Sequence, residues 1–239
     1  MRLAVVLATI AALAAGLAAC DVAREERSAS PPVSPAAPAA AGPEGAPAAP
    51  AAKRQRAHPA PLEARIRWRR SRPIGLPYAG RLLAGVRLPA EGRTFFTWDP
   101  VRRRSPNRSS RRFGTDGLVR ITLAVVRSFA AVHPNAPRVG IGDLSRRRGG
   151  PFRPKHASHQ NGLDVDVYYP RKDGKERPAR TAAQVDRRLA QQLVDRFVAA
   201  GAAKVFVGPN VGLRGPKSVV QVLPNHDDHL HARIPPGRA

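Results

Sequence analysis

Leu118, Ile121, Val125, Phe129 and Val132 recur at helical spacing and predict one amphipathic helix. Thr115 or Asp116 stands in front as a cap, and His133-Pro134 ends the run. Leu189, Leu193 and Phe197 repeat the pattern further on. Thr181 and Gln184 have capping-box spacing, so this second helix is predicted to begin at Thr181 and to close on a cap at Gly201. Between the helices, Leu163, Val165 and Val167 alternate with Asp164, Asp166 and Tyr168. Period two predicts a strand with its apolar set on one face and its acids on the other. Arg93–Trp98, Arg138–Leu144, Lys204–Val207, Ser218–Leu223 and His229–Ile234 also read as strands. Gly75, Gly80, Gly85 and Pro89 punctuate short strands or loops, and Val101–Arg112 reads as an exposed loop. Strands and helices do not alternate strictly, which predicts an α+β domain over residues 63–239. Its expected form is a small antiparallel sheet flanked by helices.

No such periodicity precedes residue 63. Leu3 to Ala19 carries no charge, follows Met1-Arg2, and ends in Leu17-Ala18-Ala19-Cys20. This is the layout of a secretory signal over residues 1–20. The last four residues resemble a bacterial lipobox, which would make Cys20 the lipidated N-terminus of the mature chain. Residues 21–62 are Ala, Pro, Ser and Gly with scattered charge, a composition expected to stay disordered. Roughly 40 such residues reach on the order of 100 Å. The expectation is an exported lipoprotein, anchored to a membrane and facing the periplasm or cell wall.

Charge narrows the partners. The 239 residues hold 41 Lys and Arg against 17 Asp and Glu, a net charge of +24, which favours a polyanionic neighbour. Arg102-Arg103-Arg104, Arg111-Arg112 and Arg146-Arg147-Arg148 are either clusters able to hold an anionic polymer or part of the Ala, Arg and Pro bias of the whole chain. Nucleic acid is not expected: aromatics are 5% of the chain, too few for base stacking, and the leader directs export. With Cys20 the only cysteine, disulfide frameworks and thiolate zinc sites are excluded.

Histidine is where chemistry concentrates. Five of the seven His fall in two windows, His156-Ala157-Ser158-His159-Gln160-Asn161-Gly162-Leu163-Asp164-Val165-Asp166 and His226-Asp227-Asp228-His229-Leu230-His231. His229 and His231 lie two apart in a predicted strand and share a face. Imidazoles joined to a carboxylate form the donor set of a catalytic zinc with one position left open. Asp227 and Asp228 either fix imidazole tautomers or are solvated loop acids, and His58 and His133 take no role.

These windows resemble the zinc peptidases that group lysostaphin-type, D-Ala-D-Ala and hedgehog-type domains. Within that group the chain is most similar to the penicillin-insensitive murein endopeptidases. Ser71–Pro89 (SRPIGLPYAGRLLAGVRLP), Gly142-Asp143-Leu144-Ser145, Gly149-Gly150, SHQNGLDVDVYYP from Ser158 and HDDHLHARI from His226 carry the resemblance over residues 65–235. It implies Zn²⁺ held by His159, Asp166 and His231, with His229 as the catalytic base. His226 and His156 would flank the site and stabilise the oxyanion, or His156 would serve a second metal. The family can place a further His between the two motifs. This chain has none from Gln160 to Asn225, so one zinc is expected. The implied substrate is peptidoglycan, cut at D-alanyl cross-links by water, with no serine for a β-lactam to acylate. The rival readings are a D,D-carboxypeptidase on the same scaffold and a non-catalytic basic module that binds the wall or another polyanion.

Overall fold

The computed structural model describes residues 66–152 and 156–237. The expected signal segment, Cys20 and the tether lie outside the described residues. In chain order the strands are β1 (Arg72–Leu76), β2 (Ala79–Leu83), β3 (Val86–Arg87), β4 (Phe95–Thr97), β5 (Phe113–Gly114), β6 (Val139–Ile141), β7 (Asp164–Tyr168), β8 (Lys204–Val207), β9 (Val220–Val222) and β10 (His229–Arg233). Helix α1 (Asp116–Val132) lies between β5 and β6, and α2 (Arg187–Ala199) between β7 and β8. The class is α+β, as expected. The sheet is larger and more mixed than the small antiparallel one expected. Six strands run in the order β4-β6-β7-β10-β8-β9. The inner pairings are antiparallel, while β4 with β6 and β8 with β9 are parallel. Sequence period alone does not tell a strand which direction its neighbour runs: the connection through α1 returns the chain parallel to β4, and the helix-free segment 208–219 returns it parallel to β8.

The core forms where α1 and α2 cover one sheet face. Leu118, Val126 and Phe129 of α1 and Leu193 and Phe197 of α2 cluster with Val165, Val167, Leu230 and Ala232 of the central strands. Each such side chain contributes about 1.5–3 kcal/mol through its burial. The alternation in β7 therefore places Val165 and Val167 against the helices and Asp164, Asp166 and Tyr168 on the far face. The α1 stripe is rotated from the expected one: Leu118, Val125 and Phe129 are buried, but Val132, in the last turn, is 60% exposed. Val101–Arg112 is not wholly a surface loop either. Asn107, Arg111 and Arg112 are buried, which removes the Arg111-Arg112 pair from the wall-facing clusters.

The second helix starts later than its sequence suggests. Thr181 makes no side-chain cap, and Ala182–Gln184 is a short 3-10 turn. Gln184 turns inward instead, and its Oε1 accepts from Arg171 Nη1 at 2.7 Å and from the Arg180 amide at 2.9 Å. The working cap is Asp186, whose Oδ1 accepts from the Leu189 amide at 3.0 Å. Gly201 closes the helix as expected: its φ is +80°, and the amides of Gly201 and Ala202 bond the carbonyls of Val198 and Phe197. Asp186→Ala should lower the unfolding free energy by about 1 kcal/mol in a denaturant titration. Thr181→Ala, at an exposed residue without a capping bond, should change it by less than about 0.5 kcal/mol.

Candidate metal centre

The register of β7 against β10 assembles half of the site. His231 lies opposite Asp166, His229 opposite Tyr168 and Arg233 opposite Asp164. Opposed residues share a face, so these side chains project together from the side of the sheet that the helices leave uncovered.

The other half comes from the segment entering β7. His159 has φ +68°, the left-handed region that a β-carbon disfavours. Three contacts hold it there. Its amide donates to Asp164 Oδ2 at 3.1 Å, its Nδ1 meets the Leu144 carbonyl at 2.5 Å, and its ring stacks on Phe152 with centroids 5.5 Å apart. Gly162, at φ +76°, completes the reversal against Leu82, whose side chain would lie 2.8 Å from any added β-carbon. The turn is also tied to the β1–β2 hairpin: the Gln160 amide donates to the Pro77 carbonyl at 2.9 Å and Asn161 Nδ2 to the Gly75 carbonyl at 3.1 Å.

Four imidazoles converge on the Asp166 carboxylate. His159 Nε2 and His231 Nδ1 each stand 3.3 Å from Asp166 Oδ1, and His229 Nε2 stands 3.8 Å from the same oxygen. His156 Nδ1 lies 3.8 Å from Oδ2. Each ring is fixed from behind by an oxygen on its other nitrogen. Leu144 serves His159 and Asp164 serves His231 at 2.9 Å. Asp228 serves His229 at 2.6 Å, and Asp143 serves His156 at 2.8 Å. Such partners set which nitrogen faces the centre. Asp227 does something else: its carboxylate accepts from the amide and side chain of Asn210, bracing the loop after β8.

Charge follows this geometry. Burial raises the pKa of Asp166, but the imidazoles around it, His159 first, take it well below the usual carboxylate range. Asp164 is likewise held at about 2, burial being outweighed by His231, His159 and Arg233. Burial opposes protonation of His231, yet Asp164 and Asp166 lift it to about 9. His229 is raised too, Asp166 and Asp228 overcoming its burial. His226 is lowered by burial and by His229 beside it. Its ring lies 4.8 Å from His229, and it bonds the Pro224 carbonyl at 2.8 Å.

The donor set fits a divalent transition metal. His159 Nε2 and Asp166 Oδ1 are both buried without a hydrogen-bond partner among the described residues. Leaving two such atoms unsatisfied costs about 1–3 kcal/mol each, and a cation between them removes that cost. Two ligands at about 2.1 Å from one tetrahedral ion stand roughly 3.4 Å apart. The two 3.3 Å separations, His159 to Asp166 and His231 to Asp166, match that edge. The ligand atoms of His156, His159 and Asp166 also lie within 4.8 Å of one another, which makes His156 the other possible third donor. The centre opens into a cleft of about 820 Å³, edged by Tyr78 at the hairpin tip and by Leu223 and Pro224 on the opposite side.

All six expected site residues, His156, His159, Asp166, His226, His229 and His231, therefore meet on one sheet face. Sequence reasoning missed Asp143, Asp164 and Tyr168. Asp164 carried a signal, since it shares the Asp166 face two residues away. Asp143 and the Leu144 carbonyl come from a separate strand end, and nothing in their spacing marked them.

No curated protein matches the chain. The sequence profile of the penicillin-insensitive murein endopeptidases matches residues 73–206. That span includes the His156–Asp166 turn and stops before β10, whose histidines join the site through sheet pairing rather than through the match. A profile covering more than half of the chain, over a fold that gathers carboxylate and imidazole at one cleft, places this protein in the penicillin-insensitive murein endopeptidase family, metallo-type enzymes that hydrolyse peptidoglycan.

Proposed function

We propose that this chain is a zinc-dependent endopeptidase that cuts D-alanyl peptide cross-links in peptidoglycan. His159, Asp166 and His231 hold the ion, and His229 is the base. The observation that carries the reading is a pair of buried atoms without a well-formed hydrogen bond among the described residues, His159 Nε2 and Asp166 Oδ1, 3.3 Å apart with His231 Nδ1 3.3 Å from the same oxygen. Imidazole and carboxylate donors suit zinc.

When bound, such an ion supplies Lewis acidity that polarises a carbonyl and makes water a stronger acid. The remaining work falls to side chains. His229, with Nδ1 fixed by Asp228, turns Nε2 toward the centre, where it accepts a proton from the attacking water and returns one to the leaving amine. His156 and His226 flank this position and face the oxyanion that develops on the scissile carbonyl. Tyr78, 59% exposed at the cleft edge, offers an aromatic face to the stem peptide or sugar. Upstream, Cys20 carries the lipid, residues 21–62 are the tether, and the zinc domain spans 63–239.

Zinc content and cleavage of cross-linked muropeptides, measured together, separate the roles. His159→Ala and His231→Ala should lose zinc and activity alike, because an open site cannot spare one of three ligands. His229→Ala should keep most of its zinc and lose about 10²–10⁴-fold in rate. His156→Ala should also keep zinc; loss of zinc there with retention in His231→Ala would exchange their roles.

Proton competition gives a second check. Without metal, His231 holds its proton up to about pH 9, and Nδ1 must give up that proton to bind an ion. Apparent zinc affinity should therefore rise with pH, by about tenfold per unit between pH 6 and 8 for one expelled proton. A titration with a zinc buffer at several pH values measures the slope, and a flat profile would remove His231 from the ligand set. Lipidation has its own test. Cys20→Ser should move the protein from the membrane fraction to the soluble envelope fraction or the medium.

A further inference from the structure

A second recess, of about 540 Å³, lies between the segment Val101–Arg111 and the turn Arg146–Gly149. Five arginines line it, Arg108, Arg111, Arg146, Arg147 and Arg148, and no carboxylate does. Two of the five are already neutralised from behind. Arg108 Nε is 2.7 Å from Asp99, and Arg111 forms a two-pronged ion pair with Asp143. Arg147 and Arg148 are exposed and have no acidic partner among the described residues. The recess thus holds an excess of positive charge that the domain does not balance.

The backbone that presents this charge is rigid. The Gly149 amide closes the turn on the Arg146 carbonyl at 3.0 Å, and the Arg148 carbonyl accepts from the Leu82 amide of β2 at 3.0 Å. Gly149 sits at φ +68° so close to the Gln160 carbonyl that an added β-carbon would lie 2.0 Å from its oxygen. Only glycine fits there, so the turn holds one conformation and three consecutive arginines are presented in fixed order. The backbone share of the ordering cost that a flexible basic loop would incur on binding is met by the fold, and the exposed arginine side chains order on the ligand.

The recess also adjoins the metal centre through one ring. Phe152 lies under the Arg111 guanidinium at 4.3 Å and within 5.9 Å of that of Arg146. Its other neighbours are His156 and His159, at 5.2 and 5.5 Å between centroids.

We propose that this recess is a second binding site on the enzyme, for free carboxylates of the peptidoglycan strand on either side of the bond being cut. Guanidinium forks pair with carboxylates through two parallel hydrogen bonds, and uncut stem peptides carry such groups at every repeat. The site holds the insoluble polymer while the cleft works on one cross-link. The proposal rests on peptidoglycan being the substrate.

Its test is binding of the full-length protein to purified sacculi, read by co-sedimentation across a salt series. R147A/R148A should bind at least roughly tenfold more weakly, with a shallower salt dependence and unchanged zinc content. R147K/R148K should recover only part of the loss, because an ammonium lacks the fork. Sacculi whose carboxyls have been amidated should bind the parent as poorly as normal sacculi bind the variant. Parent-like binding by R147A/R148A overturns the proposal. So does an equal loss in R69A/R70A, which removes the same charge at exposed positions elsewhere. Loss of binding to phosphatidylglycerol vesicles in place of sacculi would make the recess a membrane contact and also overturn it. Failure of the parent to cleave a soluble cross-linked muropeptide would instead count against the proposed function, and leaves the sacculus measurement to stand alone.

Discussion

A carboxylate with almost no access to water is the constraint around which this domain is built. Asp166 is 4% exposed, and burial on its own would drive it to the neutral acid. It stays ionised because imidazoles surround it, and they are there because β10 lies beside β7 in one register. A shift of one residue in that pairing would send His229 and His231 into the helix-covered core and bring Leu230 and Ala232 out. The apolar packing of Leu230 and Ala232 against α1 and α2 therefore selects the register, and the register selects the site. Stability and chemistry are two faces of the same strand.

A shell of oxygens does for each ring what the register does for the strand. Leu144, Asp164, Asp228 and Asp143 each engage one nitrogen and so commit the other to the centre. Asp143 is itself fixed by Arg111 and by Asn107 Nδ2 at 2.9 Å. Carboxylate, imidazole, carboxylate and guanidinium follow one another outward from Asp166 through His156 and Asp143 to Arg111. Alternation of this kind keeps buried acids ionised within a chain whose net charge is +24.

Much of this was legible before any coordinates. The strand at β7 and the helix at α1 follow from period two and period 3.6, and the two histidine windows name all six residues that meet at the site. What escaped has physical reasons. Thr181 and Gln184 satisfy a capping box in spacing, but Arg171 competes for the Gln184 side chain and Asp186 takes over the cap. Arg111 and Arg112 look like surface charge in a run of Arg and Ser. Their burial depends on Asp143 and the Leu88 carbonyl, partners 32 and 24 residues away. The parallel edges of the sheet depend on crossovers that no local pattern encodes. Asp143, which holds His156, has no periodic partner in the sequence, and only the fold brings it behind that ring.

The β1–β2 hairpin forms its own two-stranded sheet, apart from the six-stranded one, and leaves Ile74, Leu76, Tyr78 and Leu83 largely exposed. A two-stranded unit has little stability of its own, and this one is held to the domain by the buried Leu82 and by the bond from the Leu82 amide to the Arg148 carbonyl. Here that has a cost beyond the hairpin, because Gly75 and Pro77 latch the turn that keeps His159 in its left-handed conformation. Once the latch lifts, His159 can relax to an ordinary backbone geometry and leave the centre while the core is still intact. Packing at a hairpin that lies outside the main sheet thus bears directly on the geometry of the centre.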